Sequence, residues 1–225
     1  MKKVVLVTAV AVVLAALMTG CGGGSSTSGK KIATNDVLGD MPNLVYQKAY
    51  VDSVLYADRD AQKSKLKGTS KSDFEKSAKI SENYKKRSKE EDEKFEANVE
   101  KIKSTLIGKD IPFEMADGIG YEVNYCKISE LKYGVNVEFE VTLTNESVIR
   151  IYQWGTLSFY YQVLDKDGNV IGKDYYGELR NAQISMSQKN GETAKGNLYL
   201  VSKEDAAQMA NFAKIRFVEA PPKSY

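Results

Sequence analysis

Two hydrophobic periodicities follow one another along the chain. From Leu44 to about Lys65, apolar residues return at helical spacing, with Leu44, Val51, Val54, Leu55 and Ala61 near one face and charges elsewhere. Pro42 suits the first turn of that helix, where a missing amide hydrogen costs nothing. Gly68 breaks the run, and Ser72-Asp73-Phe74-Glu75 has the spacing of a capping box. A longer helix is predicted from Ser72 to Leu106. Its stripe of Phe95, Val99, Ile102 and Leu106 advances by four, three and four residues. Traced backward, the stripe reaches Ala78 and Phe74 only through Ser81, Lys85, Ser88 and Asp92, so the middle of this helix buries little. The pairs Glu82–Lys86, Lys86–Glu90, Lys89–Glu93 and Glu90–Lys94 support it instead, at about 0.2–0.5 kcal/mol each. Together the two segments predict an antiparallel helical hairpin over residues 41–108.

From Lys109 the period drops to two. Ile119, Tyr121, Val123 and Tyr125 alternate with Gly120, Glu122, Asn124 and Cys126. Val135, Val137, Phe139, Val141 and Leu143 alternate with polar residues, which predicts a strand with one buried face. Leu157, Phe159, Tyr161 and Val163 form another inward set. Asp165-Lys166-Asp167-Gly168-Asn169 then reads as a hairpin turn, because glycine accepts the positive φ such turns require. Further strands are predicted around residues 182–187, 196–201 and 212–218. Ser202-Lys203-Glu204-Asp205 opens a short helix to about Met209. Many short strands with few helices point to a sandwich or barrel.

Phe159 to Ile171 (FYYQVLDKDGNVI), taken with Val137 to Asn145 (VEFEVTLTN), resembles the small immunoglobulin-like modules of bacterial lipoproteins, including the FxLYD type. Leu164-Asp165 matches the end of that motif. The resemblance implies a fold and a non-enzymatic role, and transfers no site residues. The fold class is therefore read as α+β: an N-terminal helical hairpin, then an antiparallel immunoglobulin-like β-sandwich over residues 109–225.

The first residues carry an address. Met1, Lys2 and Lys3 start positive, and Val4 to Met18 is uncharged; at about 15 residues it falls short of the roughly 20 that span a bilayer. The run ends in Leu17-Met18-Thr19-Gly20-Cys21, which resembles the bacterial lipobox, with methionine where leucine is usual. The resemblance implies a signal peptide over residues 1–20 and a lipid on the Cys21 thiol. Gly22 to Gly29, rich in glycine and serine, begins a flexible tether read over residues 21–40. The expected place is a cell membrane or outer membrane, lipid-anchored, with the body outside the cytoplasm.

Charge and cysteine content narrow the chemistry. The chain has 32 basic and 30 acidic side chains, and removing Lys2 and Lys3 with the leader leaves them equal, which speaks against nucleic-acid binding. Lipidation would use one of the two cysteines and leave Cys126 alone, so no internal disulfide is expected. The absence of histidine removes Ser-His-Asp and Cys-His nucleophiles and histidine-ligated zinc. No cofactor is expected.

Among candidate sites, Asp165, Asp167 and Asn169 alternate as calcium ligands do, but glycine and glutamate are not at the sixth and twelfth positions, so a plain turn is the better reading. Glu122, Glu138 and Glu140 are the carboxylates an acid–base hydrolase would need. Cys126 is placed on the same face as Glu122, whose charge would raise its pKa, or packed under the helical hairpin; an inert, partly buried thiol is expected. Ser28-Gly29-Lys30-Lys31 fits S-x-x-K but lies in the tether, and Asn145-Glu146-Ser147 fits a glycosylation sequon by chance. Tyr152, Trp154 and Tyr160 are the preferred ligand-binding residues, because aromatic rings with polar edges suit protein and sugar surfaces. The function expected is non-catalytic, a protein-binding or assembly module. A carbohydrate-binding role for the aromatic face, and a carboxylate-based hydrolase, are the alternatives. The expected partners are the membrane, through the lipid on Cys21, an envelope protein and a glycan.

Overall fold

The computed structural model describes residues 29–68, 70–144, 151–152, 156–172, 178–185 and 191–219. Two helices, α1 (Met41–Ser64) and α2 (Lys71–Leu106), pack together as an antiparallel pair. Pro42 sits in the first turn of α1 as expected. In α2 the cap is Ser70 and not Ser72: its hydroxyl accepts from the Asp73 amide at 3.1 Å. Ser70-x-x-Asp73 has the same three-residue spacing, and its acid lies in the first turn, where a helix dipole favours negative charge.

The faces follow the sequence pattern at the base of the hairpin and lose it toward the tip. Phe95, Val99 and Leu106 are buried and Ile102 partly so, whereas Ala61, Ala78 and Phe74 are exposed. Among the described residues, only Lys89–Glu93, at 3.6 Å, forms of the four expected α2 pairs. The middle is joined across the hairpin instead, by Lys48–Asp92 at 2.9 Å and Arg87–Asp58 at 2.8 Å. Arg59 adds a stack between the Tyr56 and Tyr84 rings, 4.1 and 4.8 Å from their centroids.

The strands are β1 (Phe113–Met115), β2 (Tyr121–Leu131), β3 (Val135–Leu143), β4 (Ile151–Tyr152), β5 (Thr156–Asp165), β6 (Arg180–Ser185), β7 (Thr193–Leu200) and β8 (Phe212–Val218). They form a three-stranded antiparallel sheet, β2-β3-β7, and a five-stranded sheet. The second sheet departs from the all-antiparallel expectation. β1 pairs parallel with β8, with Phe113 opposite Ile215. These two strands are far apart in the chain, and the whole intervening fold serves as the long crossover a parallel pair needs. β5 is its centre: Tyr160 and Tyr161 pair with both β6 and β8, which therefore flank it on opposite edges. The predicted helix after Ser202 is only turns and a 3-10 turn, Gln208–Asn211.

Faces of the two sheets meet in one core. Phe139 and Tyr121 from one sheet contact Phe159 and Phe217 from the other, with ring centroids 4.8–6.3 Å apart. Gly196 lets this happen: a Cβ there would lie 2.7 Å from both Ile184 and Phe139. The hairpin base enters the same core through Met41, Val45, Phe95, Val99 and Leu106.

Residues 35–39, assigned to the tether on composition, are fixed to the body. Leu38 is fully buried. The Asn35 side chain donates to the carbonyls of Ala210 (3.0 Å) and Phe212 (2.8 Å) and accepts from the Val37 and Leu38 amides. One asparagine that satisfies both its oxygen and its amide clips the entry to α1 onto the start of β8.

Candidate functional site

The structure separates most of the residues singled out by sequence. Tyr160 lies on β5, half-buried, on the face opposite the buried Phe159 and Tyr161. Tyr152 pairs by its backbone with Thr156. Trp154, the Tyr152 side chain, Cys21, Ser28 and the Asn145 sequon lie outside the described residues. Asp165 forms the expected plain turn: its Oδ1 accepts from the amides of Asp167 and Asn169, both at 2.9 Å, and Gly168 takes φ +83°. Among the described residues no cluster of three potential metal ligands occurs.

A bulge rearranges the predicted carboxylate face. Val123 pairs with Val141 but Tyr125 with Glu140, so Asn124 is the extra residue of β2. Alternation restarts one step out of phase. Cys126 and Ile128 turn inward, each 1% exposed, and Tyr125 turns out. Cys126 is therefore not beside Glu122. Its thiol is pushed up to about 12 by burial rather than by neighbouring charge. Glu138 accepts from the Tyr125 hydroxyl at 2.6 Å and lies 3.5 Å from Lys195. The tyrosine hydrogen bond, helped by the lysine charge, holds the Glu138 carboxyl below its ordinary value. A general acid needs the opposite shift.

A concave site lies elsewhere, between the hairpin and the sheets. Val45, Ala49 and Phe95 from the helices face Tyr133, in the turn between β2 and β3, and Tyr199 on β7, around a cleft of about 390 Å³. Such a volume lies within the usual range for ligand pockets, roughly 300–1,000 Å³. Tyr133 and Tyr199 are 47% and 43% exposed, two of only five large apolar residues that stand out from the described surface. Tyr133 stacks flat on Phe95, centroids 5.6 Å apart and planes within 4°. Tyr199 rests on Gly134, where a Cβ would lie 2.2 Å from its hydroxyl. Hence the turn places one tyrosine and its glycine seats the other.

Polar groups line one side. Lys48 is held by Asp52 at 2.5 Å and Asp92 at 2.9 Å. Burial alone would lower the Lys48 ammonium, but the hydrogen bonds and charges of the two aspartates outweigh it and hold the pKa above its ordinary value. Ser202, Lys203 and Glu204 form the far rim. Val201, fully buried, turns the chain into that rim at φ +62°, a rare conformation for a β-branched residue that costs about 1–3 kcal/mol.

A buried ion pair fixes the rim from below. Arg180 on β6 meets Asp205, and both are almost wholly out of water. The second Asp205 oxygen accepts from the Ser202 amide at 2.6 Å and its hydroxyl at 3.1 Å. Arg180 and the Tyr161 hydroxyl also donate to the Tyr199 carbonyl, at 3.3 and 3.1 Å. The sequence signalled the rim only as a helix cap, and Tyr133 and Tyr199 not at all, because a turn residue and an outward strand residue have no periodic signature.

The chain matches no protein-family model, no curated protein and no solved structure.

Proposed function

We propose that this chain is a non-catalytic, lipid-anchored protein of the cell envelope whose cleft binds a partner protein. On this reading the two sheets form an immunoglobulin-like sandwich, and the hairpin closes one end of it. The observation that carries the proposal is the cleft itself. Two half-exposed tyrosines stand over an apolar floor, at a junction between hairpin and sheets, with a polar rim of Ser202, Lys203 and Glu204. Tyrosine combines a large apolar contact with a polar edge at small entropic cost, which is why it is enriched at binding surfaces. The leader and lipobox-like Cys21 supply the address.

A photo-crosslinking residue in place of Lys203, in intact cells, tests this. One predominant protein adduct is expected, and Tyr133→Ala or Tyr199→Ala should remove it while the thermal midpoint stays near that of the parent. Adducts that survive both substitutions would place the interface elsewhere. Absence of any adduct, with glycan binding that the same substitutions abolish, would move the reading to a carbohydrate-binding lipoprotein.

A further inference from the structure

The free end of the hairpin differs from the rest of the surface. Residues 63–86 carry eight lysines against three carboxylates, Asp73, Glu75 and Glu82. In the chain they are diluted by the acidic stretch that follows. Folding α1 back along α2 brings them to one end of the molecule. Lys65, Lys67, Lys71, Lys76, Lys79 and Lys85 are all exposed. Among the described residues none of the eight lysines enters an ion pair; the pairs of the hairpin, such as Arg87–Asp58 and Lys48–Asp92, lie nearer its base. In their midst stands Phe74, 67% exposed, the most exposed large apolar side chain described. Its nearest neighbours on the helix face are Lys71 and Ala78, themselves exposed.

We propose that this tip is a docking surface for an anionic phospholipid membrane, with the lysines at the headgroup phosphates and Phe74 in the apolar boundary beneath them. Charge complementarity supplies the long-range attraction, about fivefold in affinity for each lysine near the surface. Phe74 decides between a membrane and a dissolved polyanion. A hydrated polymer satisfies the lysines but offers the ring nothing, whereas a bilayer removes it from water, worth about tenfold or more. The proposed anchor is compatible with this placement. Gly29 lies against the Tyr50 ring. From Tyr50 to the end of α1 at Ser64 is about 21 Å along the helix. The eight residues from Cys21 to Gly29 span at most about 28 Å, so a lipid on Cys21 reaches the plane that the tip touches. The tip proposal itself needs no lipid.

The test uses the chain from residue 21 onward with Cys21→Ser, which keeps every described residue and removes acylation. It is sedimented with vesicles of phosphatidylcholine alone and of phosphatidylcholine with 30% phosphatidylglycerol, at 0.1 and 0.5 M salt. Binding is expected only with phosphatidylglycerol at low salt. It should fall at least a hundredfold with Lys71→Gln/Lys76→Gln/Lys79→Gln/Lys85→Gln and about tenfold with Phe74→Ser. Circular dichroism should show the fold unchanged. A control with Lys101→Gln/Lys103→Gln/Lys127→Gln/Lys195→Gln loses the same charge away from the tip and should retain binding to within fivefold. Equal loss in the control would reduce the effect to net charge and overturn the proposal. So would no binding to the anionic vesicles, equal binding to both kinds, or an unchanged Phe74→Ser variant together with tight binding to soluble polyphosphate.

Discussion

Replacing Asp205 by alanine removes half of a charge pair that water does not reach. Arg180 is 2% exposed and Asp205 1% exposed, so the guanidinium left behind is a charge that water does not reach. Breaking a buried pair in this way costs about 3–5 kcal/mol. The Ser202 amide, 2.6 Å from the lost carboxylate, is orphaned as well. For a chain of this size each kcal/mol moves the thermal midpoint by about 2–4 °C, so Asp205→Ala should lower it by roughly 6–20 °C. The rim carrying Ser202, Lys203 and Glu204 should loosen with it. Urea denaturation with a common slope gives the free energy, and calorimetry gives the midpoint. The paired replacement Arg180→Met/Asp205→Leu removes both charges and should recover most of the loss, because an apolar pair of similar volume escapes the desolvation cost that burying the ions imposes. A loss under about 1 kcal/mol in the single variant, or a double variant no better than the single, would refute the claim that a water-excluded charge pair holds the rim.

Three further outcomes follow from particular residues. Gly134→Ala places a Cβ against the Tyr199 hydroxyl and, at 2.4 Å, the Val201 carbonyl, so it should cost about 1–3 kcal/mol and weaken cleft binding, read by denaturation and by the Lys203 crosslink. Ser70→Ala should cost about 1 kcal/mol by circular dichroism melts and Ser72→Ala only a few tenths, since Ser70 holds the cap. The Cys126 thiol is raised in the folded state, so from about pH 9 upward the unfolded chain loses that proton first. Stability should then fall by up to about 1.4 kcal/mol per pH unit toward pH 12, and Cys126→Val should flatten that part of the curve; at pH 8 the native thiol should resist a disulfide reagent that labels it in urea.

Periodicity alone determined the two long helices followed by strands, the inward set Leu157, Phe159, Tyr161 and Val163, and the strand at 135–143, because burial on one face writes itself into every second or every third and fourth residue. It also determined that the middle of α2 buries little. The phase of β2 was not legible: one extra residue, Asn124, turns Cys126 from the polar to the buried side, and a bulge depends on the partner strand's register rather than on local composition. The parallel seat of β1 on β8 and the clip made by Asn35 were likewise decided by contacts between distant segments. The same holds for the two surfaces on which the functional reading rests. Tyr133, Tyr199 and Phe95 are remote in the chain and meet only where the hairpin closes on the sheets. The tip lysines were visible in the sequence as one stretch of a nearly neutral molecule. Their excess over the three carboxylates among them, with none of the eight in an ion pair among the described residues, is gathered at one end of the hairpin when α1 folds back along α2, because potential is set by distance through space and not along the chain.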